Sequence, residues 1–288
     1  MKCIFILTIL TVSSSLCFGQ TDSGKSPAID SVPPKSTLTL GTVYSNNASY
    51  YGERAEEKTP YVAVAATYQL KSGIYFTGQT YKLLNDNSSA LSASAIGAGV
   101  TLKVSQKLST DISYSHSFYP SYSPLLQAAN ADNASIAFSY NGWVKPTLTG
   151  DYAFGKTADA FVTVAVSKEI NLFSISNKDI VTITPSANVV AGTQHFYQTY
   201  IQEKKLRDSL LGILTDPIFG SPGNTGESKT VVSTYFNLLS YSLKLPLAYN
   251  RAHYLVEAAY QLSMLSPHAQ NGKGNLNSFL TFSFYYQF

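Results

Sequence analysis

The sequence predicts an all-β protein, namely a transmembrane antiparallel up-and-down β-barrel of about twelve strands, with ten or fourteen as alternatives. Three observations predict it: apolar and polar residues alternate, charges are few, and the connections alternate between short and long. Only 13% of the 288 residues are charged, whereas 44% are hydrophobic and 21 are tyrosines. Soluble domains usually carry about 25% charged residues. This apolar and aromatic content also excludes a disordered chain.

The N-terminal residues predict an export signal. Met1 and Lys2 form a basic start, 3–12 is apolar, and small residues lead to Gly19. The apolar stretch is too short to cross a bilayer as a helix, which takes roughly 20 residues. We therefore expect a signal peptide over 1–19, a flexible periplasmic lead-in over 20–35 and the barrel over 36–288. Lipidation at Cys17 is the alternative, although a lipoprotein signal wants a small residue where Leu16 stands.

The predicted mature chain holds few groups for metal or thiol chemistry. Both cysteines, Cys3 and Cys17, lie in the predicted signal peptide, which excludes disulfides and cysteine-ligated zinc. Neither a zinc-binding His-Glu-x-x-His motif nor a calcium or phosphate loop is present, so we expect no cofactor and no metal. The formal net charge of +3 is too small to indicate nucleic-acid binding.

Period-two alternation is clearest at the C-terminus. Apolar residues occupy every second position from Leu280 to Phe288, with mostly polar residues between them. Because successive side chains of a strand point to opposite faces, this segment has one apolar and one polar face. Pro185, and a change of parity over 237–239, indicate bulges. Twelve such segments are predicted: 37–50, 59–71, 73–83, 92–105, 108–118, 133–144, 147–155, 159–173, 179–197, 230–245, 253–265 and 276–288.

The connections separate a barrel from a soluble sandwich. Short ones at 71–73, 105–108, 144–147, 174–178 and 246–252 alternate with long ones at 46–58, 84–91, 119–132, 198–229 and 266–275, and 156–158 is the exception. Short periplasmic turns and long outer loops are typical of outer-membrane barrels. A sandwich would bury its apolar faces, and this chain has too few charges to coat the outside. In a barrel the apolar faces meet lipid, and closure pairs every backbone group.

The C-terminal strand TFSFYYQF resembles the last strand of bacterial outer-membrane β-barrel proteins. Thr281 occupies the polar position of that family's terminal signal, Tyr286 and Phe288 occupy the aromatic positions, and Ser283 stands where glycine is usual. The resemblance implies insertion into outer-membrane lipid with the help of the barrel-assembly machinery. It covers 36–288 at the level of architecture and identifies no particular member.

The predicted lumen face carries ionisable residues that favour a channel for small solutes. The parity of the strands places six such residues inside: Lys103, Asp111, Asp151, Glu169, Lys244 and Glu257. We expect Lys103 to lie opposite Asp111 across a tight turn, and Lys244 and Glu257 to occupy equivalent ends of another hairpin. Twelve strands lie between barrels filled by side chains and barrels with wide water channels, so an open and a filled lumen both stay possible.

Two other functions stay open. Over 198–229, residues Ile201, Leu206, Leu210, Ile213 and Leu214 predict a short amphipathic helix ending at Asp216-Pro217, which would serve a non-conducting surface protein. A lipid hydrolase needs a serine near a histidine. Among the four histidines only His268 has a serine two positions away, Ser266, with Pro267 between them, and His116 is expected to be an interfacial residue. We therefore predict no enzymatic activity and no catalytic residues.

Overall fold

A computed structural model provides the structure of the chain. It describes residues 3–5, 16–18, 35–86, 90–121, 123–204, 235–269 and 274–288. Two short strands, Cys3–Phe5 and Leu16–Phe18, pair with each other at the N-terminus. Because the rest of 1–34 lies outside the described residues, the signal peptide and the lead-in stay predictions.

The described chain forms a closed antiparallel barrel of 12 strands, which confirms the predicted fold. The last strand pairs with the first, with Thr281 opposite Ser45 and Gln287 opposite Thr39, so the sheet has no free edge. The strands are β1 (Thr37–Ser45), β2 (Tyr61–Gln69), β3 (Ile74–Leu83), β4 (Ala93–Lys103), β5 (Leu108–Phe118), β6 (Asp132–Tyr140), β7 (Lys145–Phe154), β8 (Ala158–Ser167, continued by Ile170–Phe173), β9 (Asp179–Ile183, continued by Ser186–Gly192), β10 (Asn237–Arg251), β11 (Tyr254–Leu265) and β12 (Leu276–Gln287).

Two irregularities lie where the sequence predicts them. Strand β9 is interrupted at Thr184 and Pro185, and the Thr184 N–H donates to the carbonyl of Pro246 at 3.0 Å. In β10 the register shifts at Leu239, because Val190 pairs with Ser240 while Ala191 pairs with Leu238. The register of β9 against β10 is the same on both sides of Pro185, because Ile183 lies opposite Leu247 and Ser186 opposite Lys244, so the bulge predicted at Pro185 is wrong. The shift at Leu239 is the bulge predicted over 237–239.

The bounds predicted for β10 are wrong. The strand runs to Arg251, and only Ala252 and His253 connect it to β11, so the predicted connection over 246–252 does not exist. The strand continues through Pro246 because Leu243, Leu245 and Leu247 stay on the outward face, each about half exposed or more. Residues 230–234, where the prediction began, lie outside the described part of the chain.

The apolar faces point outward. Val64, Phe282 and Phe284 are 56%, 48% and 43% exposed, whereas Thr281 and Ser283, on either side of Phe282, are buried. A sandwich would bury the three apolar side chains, so this arrangement excludes it. The outward faces form a continuous apolar belt around the barrel. Within the described ranges, no helix is long and apolar enough to cross a membrane.

The two ends of the barrel differ. The short-turn end carries the connections 70–73, 104–107, 141–144, 174–178 and 252–253, and the long-loop end carries the others. The long-loop end holds a 3₁₀ helix, Leu126–Ala129, and a helix α1 over 195–204. Helix α1 begins earlier than the predicted helix, and its described part, 195–204, includes Ile201 of the predicted apolar residues. Leu206, Leu210, Ile213 and Leu214 lie outside the described residues.

Candidate functional site

The interior of the barrel is polar. Asp111, Asp151, Lys244 and Glu257 all point inward, and the last three are between 5% and 7% exposed. Asp111 accepts hydrogen bonds from the hydroxyls of Tyr75 at 2.9 Å and Thr101 at 2.7 Å. A role of these residues in lining a solute path stays a prediction.

The strand registers separate the charges that the sequence places together. Asp111 lies opposite Thr101, while Lys103 lies opposite Ser109 and is exposed near the short turn. The expectation that Lys103 and Asp111 face each other is therefore wrong by two residues. Lys244 lies opposite Gln261 and Glu257 opposite Ala248, because this hairpin turns at 252–253 rather than earlier.

A cavity of about 40 Å³ lies inside the barrel toward the short-turn end. This volume accommodates a few water molecules. Both predicted carboxylates of this region contribute to its wall, together with Lys244. Its lining includes Glu169, Thr182, Thr184, Lys244, Asn250 and Glu257.

Several buried polar atoms of the interior have no hydrogen-bond partner within the described residues. They occur on strands all around the barrel: Thr77 Oγ1, Gln79 Nε2, Asn133 Oδ1, Asp151 Oδ1, Asn250 Oδ1, Glu257 Oε1, Ser263 Oγ and Ser283 Oγ. Because buried polar groups are almost always paired with protein or water, these atoms require water inside the barrel.

The mouth at the long-loop end is filled by a loop plug. We define the loop plug as loop 46–60, loop 119–131 and helix α1. The tip of loop 46–60 is a tight turn, in which Tyr50 and Glu53 exchange backbone hydrogen bonds of 2.8 and 3.0 Å. Tyr51 and Gly52 lie in the left-handed region, with φ of 51° and 86°. Such a conformation is unusual for tyrosine and directs this side chain into the barrel.

The tip is fixed to the barrel wall by two hydrogen bonds. The Ser240 hydroxyl donates to the Tyr51 carbonyl at 2.7 Å, and the Asn277 amide donates to the Gly52 carbonyl at 3.2 Å. A Cβ atom on Gly52 would come within 2.5 Å of the hydroxyls of Ser240 and Ser263. Only glycine therefore fits between the tip and the wall.

Aromatic packing holds the loop plug together. The ring of Tyr51 stacks on Phe161 at 3.7 Å, and Tyr50 makes edge contacts with Phe161 and Phe196. Phe161 belongs to β8 and Phe196 to α1, so the cluster joins the loop, the wall and the helix. Phe196 is fully buried and Tyr200 almost so.

Asp159 of β8 fixes helix α1. Its carboxylate accepts hydrogen bonds from the backbone N–H groups of His195 and Phe196 at 2.7 and 2.9 Å, which leaves these two groups at the start of the helix satisfied. The Thr193 hydroxyl and the Asn130 amide also donate to it, at 2.7 and 2.9 Å. One carboxylate thus binds the helix, loop 119–131 and the wall.

Glu53 is the unusual group of the loop plug. Its side chain is fully buried, and neither carboxylate oxygen has a hydrogen-bond partner within the described ranges. Burial, together with the nearby negative charge of Asp159, raises the pKa of Glu53 to about 8. Burial of an unpaired carboxylate is costly, so the docked loop favours protonated Glu53.

The histidines do not assemble a hydrolytic site with Ser266. The Ser266 hydroxyl donates to the Leu238 carbonyl and accepts the backbone N–H of His268 at 3.1 Å, so it is bonded to backbone groups rather than to the imidazole. His116 points outward near the long-loop end, where its Nδ1 lies 2.7 Å from Asp132 Oδ1. Tyr114 donates to the same oxygen at 2.5 Å.

Sequence reasoning predicted a long connection at 46–58 but missed that it enters the mouth of the barrel, and it missed Asp159. The available signal in the loop is the sequence Tyr50-Tyr51-Gly52-Glu53, which combines two aromatic residues with a turn glycine in a connection expected to be polar. Asp159 gives no signal of its own, because its partners are distant in the chain.

No family model matches the chain, and no curated protein matches it. Solved structures that resemble it include the KdgM porin, at 7% identity and a TM-score of 0.47, covering 88% of this chain and 99% of that one. A NanC porin has 6% identity and a TM-score of 0.43, and the alignment covers 86% of this chain and 98% of that one. LpxR from Salmonella typhimurium has 8% identity and a TM-score of 0.45, and the alignment covers 87% of this chain and 99% of that one. The chain is a closed 12-stranded antiparallel β-barrel, and these low values assign it to no family.

Proposed function

We propose that the protein is a narrow outer-membrane channel for small solutes, closed at its long-loop end by the loop plug. The observation that carries this proposal is the polar interior, whose buried atoms require water between the plug and the short-turn end. A barrel with a structural role alone has no need of a hydrated interior, since eight-stranded barrels fill theirs with side chains.

The tip of loop 46–60 provides the test. Gly52→Ala places a methyl group against Ser240 and Ser263 and strains a left-handed residue, so the tip should leave the wall. In planar bilayers we expect rare, small openings of the wild-type protein and an open probability at least about tenfold higher for Gly52→Ala, which corresponds to about 1.4 kcal/mol.

Gly274→Ala is the matched control. Gly274 also has a left-handed φ, of 69°, but nothing lies within 4 Å of its added Cβ. This variant should conduct like the wild type. Folded barrels without conductance in all three proteins would contradict the channel.

A non-conducting surface protein is the second candidate, and the filled mouth favours it. In that case loop 198–229, of which the structure describes 198–204, binds an external partner. Deletion of 201–226 would then abolish partner binding. The wild type and the two glycine variants described above would not conduct.

A further inference from the structure

The short-turn end of the barrel is strongly basic. Seven basic side chains lie on or beside its turns: Lys71, Lys103, Lys107, Lys145, Lys168, Lys178 and Arg251. Glu169 and Asp179 are the acidic residues at this end of the described chain. Asp179 is engaged within its own turn, where it accepts the backbone N–H groups of Ile175 and Ser176 at 2.7 and 2.9 Å.

Four lysines at this end are exposed and stand apart from carboxylates. Lys71, Lys103, Lys107 and Lys178 are exposed, and within the described ranges none of them has a carboxylate oxygen within 4.0 Å. The long-loop end differs, because Lys156 pairs there with Glu203 and Lys204 with Glu56. Among the described residues, exposed lysines without a carboxylate partner are therefore concentrated at the short-turn end.

The apolar belt continues down to these basic residues. Phe173 and Ile175, in or beside the turn that carries Lys178, are 59% and 71% exposed. In the next turn Trp143 is 82% exposed, and Lys168 Nζ lies 3.9 Å from the centre of its ring. An exposed tryptophan beside cations, at the edge of an apolar belt, is typical of the level of lipid headgroups.

We propose that the short-turn end binds the headgroups of anionic phospholipids in the adjoining leaflet of the membrane. The cations lie where phosphates lie once the belt is immersed, and negative surface charge attracts a basic segment at that depth. A soluble acidic protein would require no apolar border, which is why the belt favours lipid.

Trp143 reports on this binding directly, because it is the one tryptophan of the sequence. The full chain is reconstituted in mixed vesicles of phosphatidylglycerol and phosphatidylcholine, with bromine on one lipid or the other. Bromine quenches tryptophan fluorescence at short range, so the ratio of the two quenching efficiencies measures which lipid lies beside Trp143. We expect at least about a threefold preference for the anionic lipid at low salt.

High salt and charge removal should reduce that preference. In about 1 M salt the screening length falls to about 3 Å, and the preference should disappear. A variant with Lys71→Gln, Lys107→Gln and Lys178→Gln should lose most of it, while Lys168 stays over the indole. Lys58→Gln, an exposed lysine at the other end, is the control and should keep it. Equal quenching by both lipids at low salt would overturn the proposal, whether or not the barrel conducts.

Discussion

At the scale of single residues, two carboxyl groups a short distance apart have opposite environments. Asp159 is saturated with donors from three elements, whereas Glu53 is buried without any among the described residues. Hydrogen bonds stabilise an ionised carboxylate and burial without them destabilises it. Asp159 therefore holds the loop plug in place, whereas Glu53 makes the docked state of the plug depend on the protonation of its own carboxyl group.

Removal of the Asp159 carboxylate should loosen the loop plug. Asp159→Ala leaves the first N–H groups of helix α1 and the Asn130 amide without their acceptor, and loss of a helix cap alone costs about 0.5–2 kcal/mol. We expect trypsin to cleave after Lys204, within α1, several times faster than in the wild type.

Asp132→Ala is the control for that experiment. Asp132 also accepts from a histidine, but its side chain is on the outward face of the barrel wall and does not bind helix α1. Its cleavage rate after Lys204 should stay at the wild-type value. Equal rates for wild type and Asp159→Ala would show that the carboxylate does not hold the helix.

At the scale of elements, the loop plug should release at alkaline pH. In the docked loop the pKa of Glu53 is about 8, against an ordinary value of 4.5. The docked state thus binds the proton more tightly, so its stability is fully present below about pH 4.5 and falls as the pH rises to 8. Each pH unit in that window lowers the stability of the docked state by up to about 1.4 kcal/mol. Channel open probability should therefore increase between pH 5 and 8.

Glu53→Gln should remove this dependence, because an amide does not ionise. Asp159 and Tyr197 also face Glu53. An unchanged pH profile of single-channel openings in Glu53→Gln would contradict the role of Glu53.

At the scale of the whole molecule, the apolar belt determines where the barrel is stable. Val64→Lys puts a charge on the outward face at the middle of β2, which should lower the free energy of unfolding from a bilayer by about 2–4 kcal/mol. Ser278→Lys faces outward close to the long loops, where the cost should be about 1 kcal/mol or less. Denaturant titration in vesicles measures both, and equal values would contradict a lipid-facing belt.

The C-terminal residues help to close the barrel. Phe288 donates its backbone N–H to the carbonyl of Leu38 at 2.9 Å, and its ring, like that of Tyr286, points outward. Thr281 lies on the inner face, opposite Ser45. The three residues thus complete the seam that closes the barrel, and their part in recognition by the assembly machinery stays a prediction.

The strands could be predicted because period-two alternation is a local property, set by the geometry of a single extended segment. The pairs of charges could not. Lys103 and Asp111 miss each other by two residues because register depends on how many residues the turn uses, and Lys244 and Glu257 miss for the same reason at 252–253. The alternation shows which face a residue occupies, but not which neighbour it meets.

By itself, the sequence determined the barrel, its approximate number of strands and the outward direction of its apolar side chains, since these follow from composition and spacing along the chain. Only the tertiary structure decided that the mouth is filled, because Tyr51, Phe161 and Phe196 come from three distant segments and meet once the sheet has closed around them. Before the barrel closes, nothing distinguishes inward-facing from outward-facing positions in a loop. The aromatic residues of the loop therefore show no recognisable pattern in the sequence.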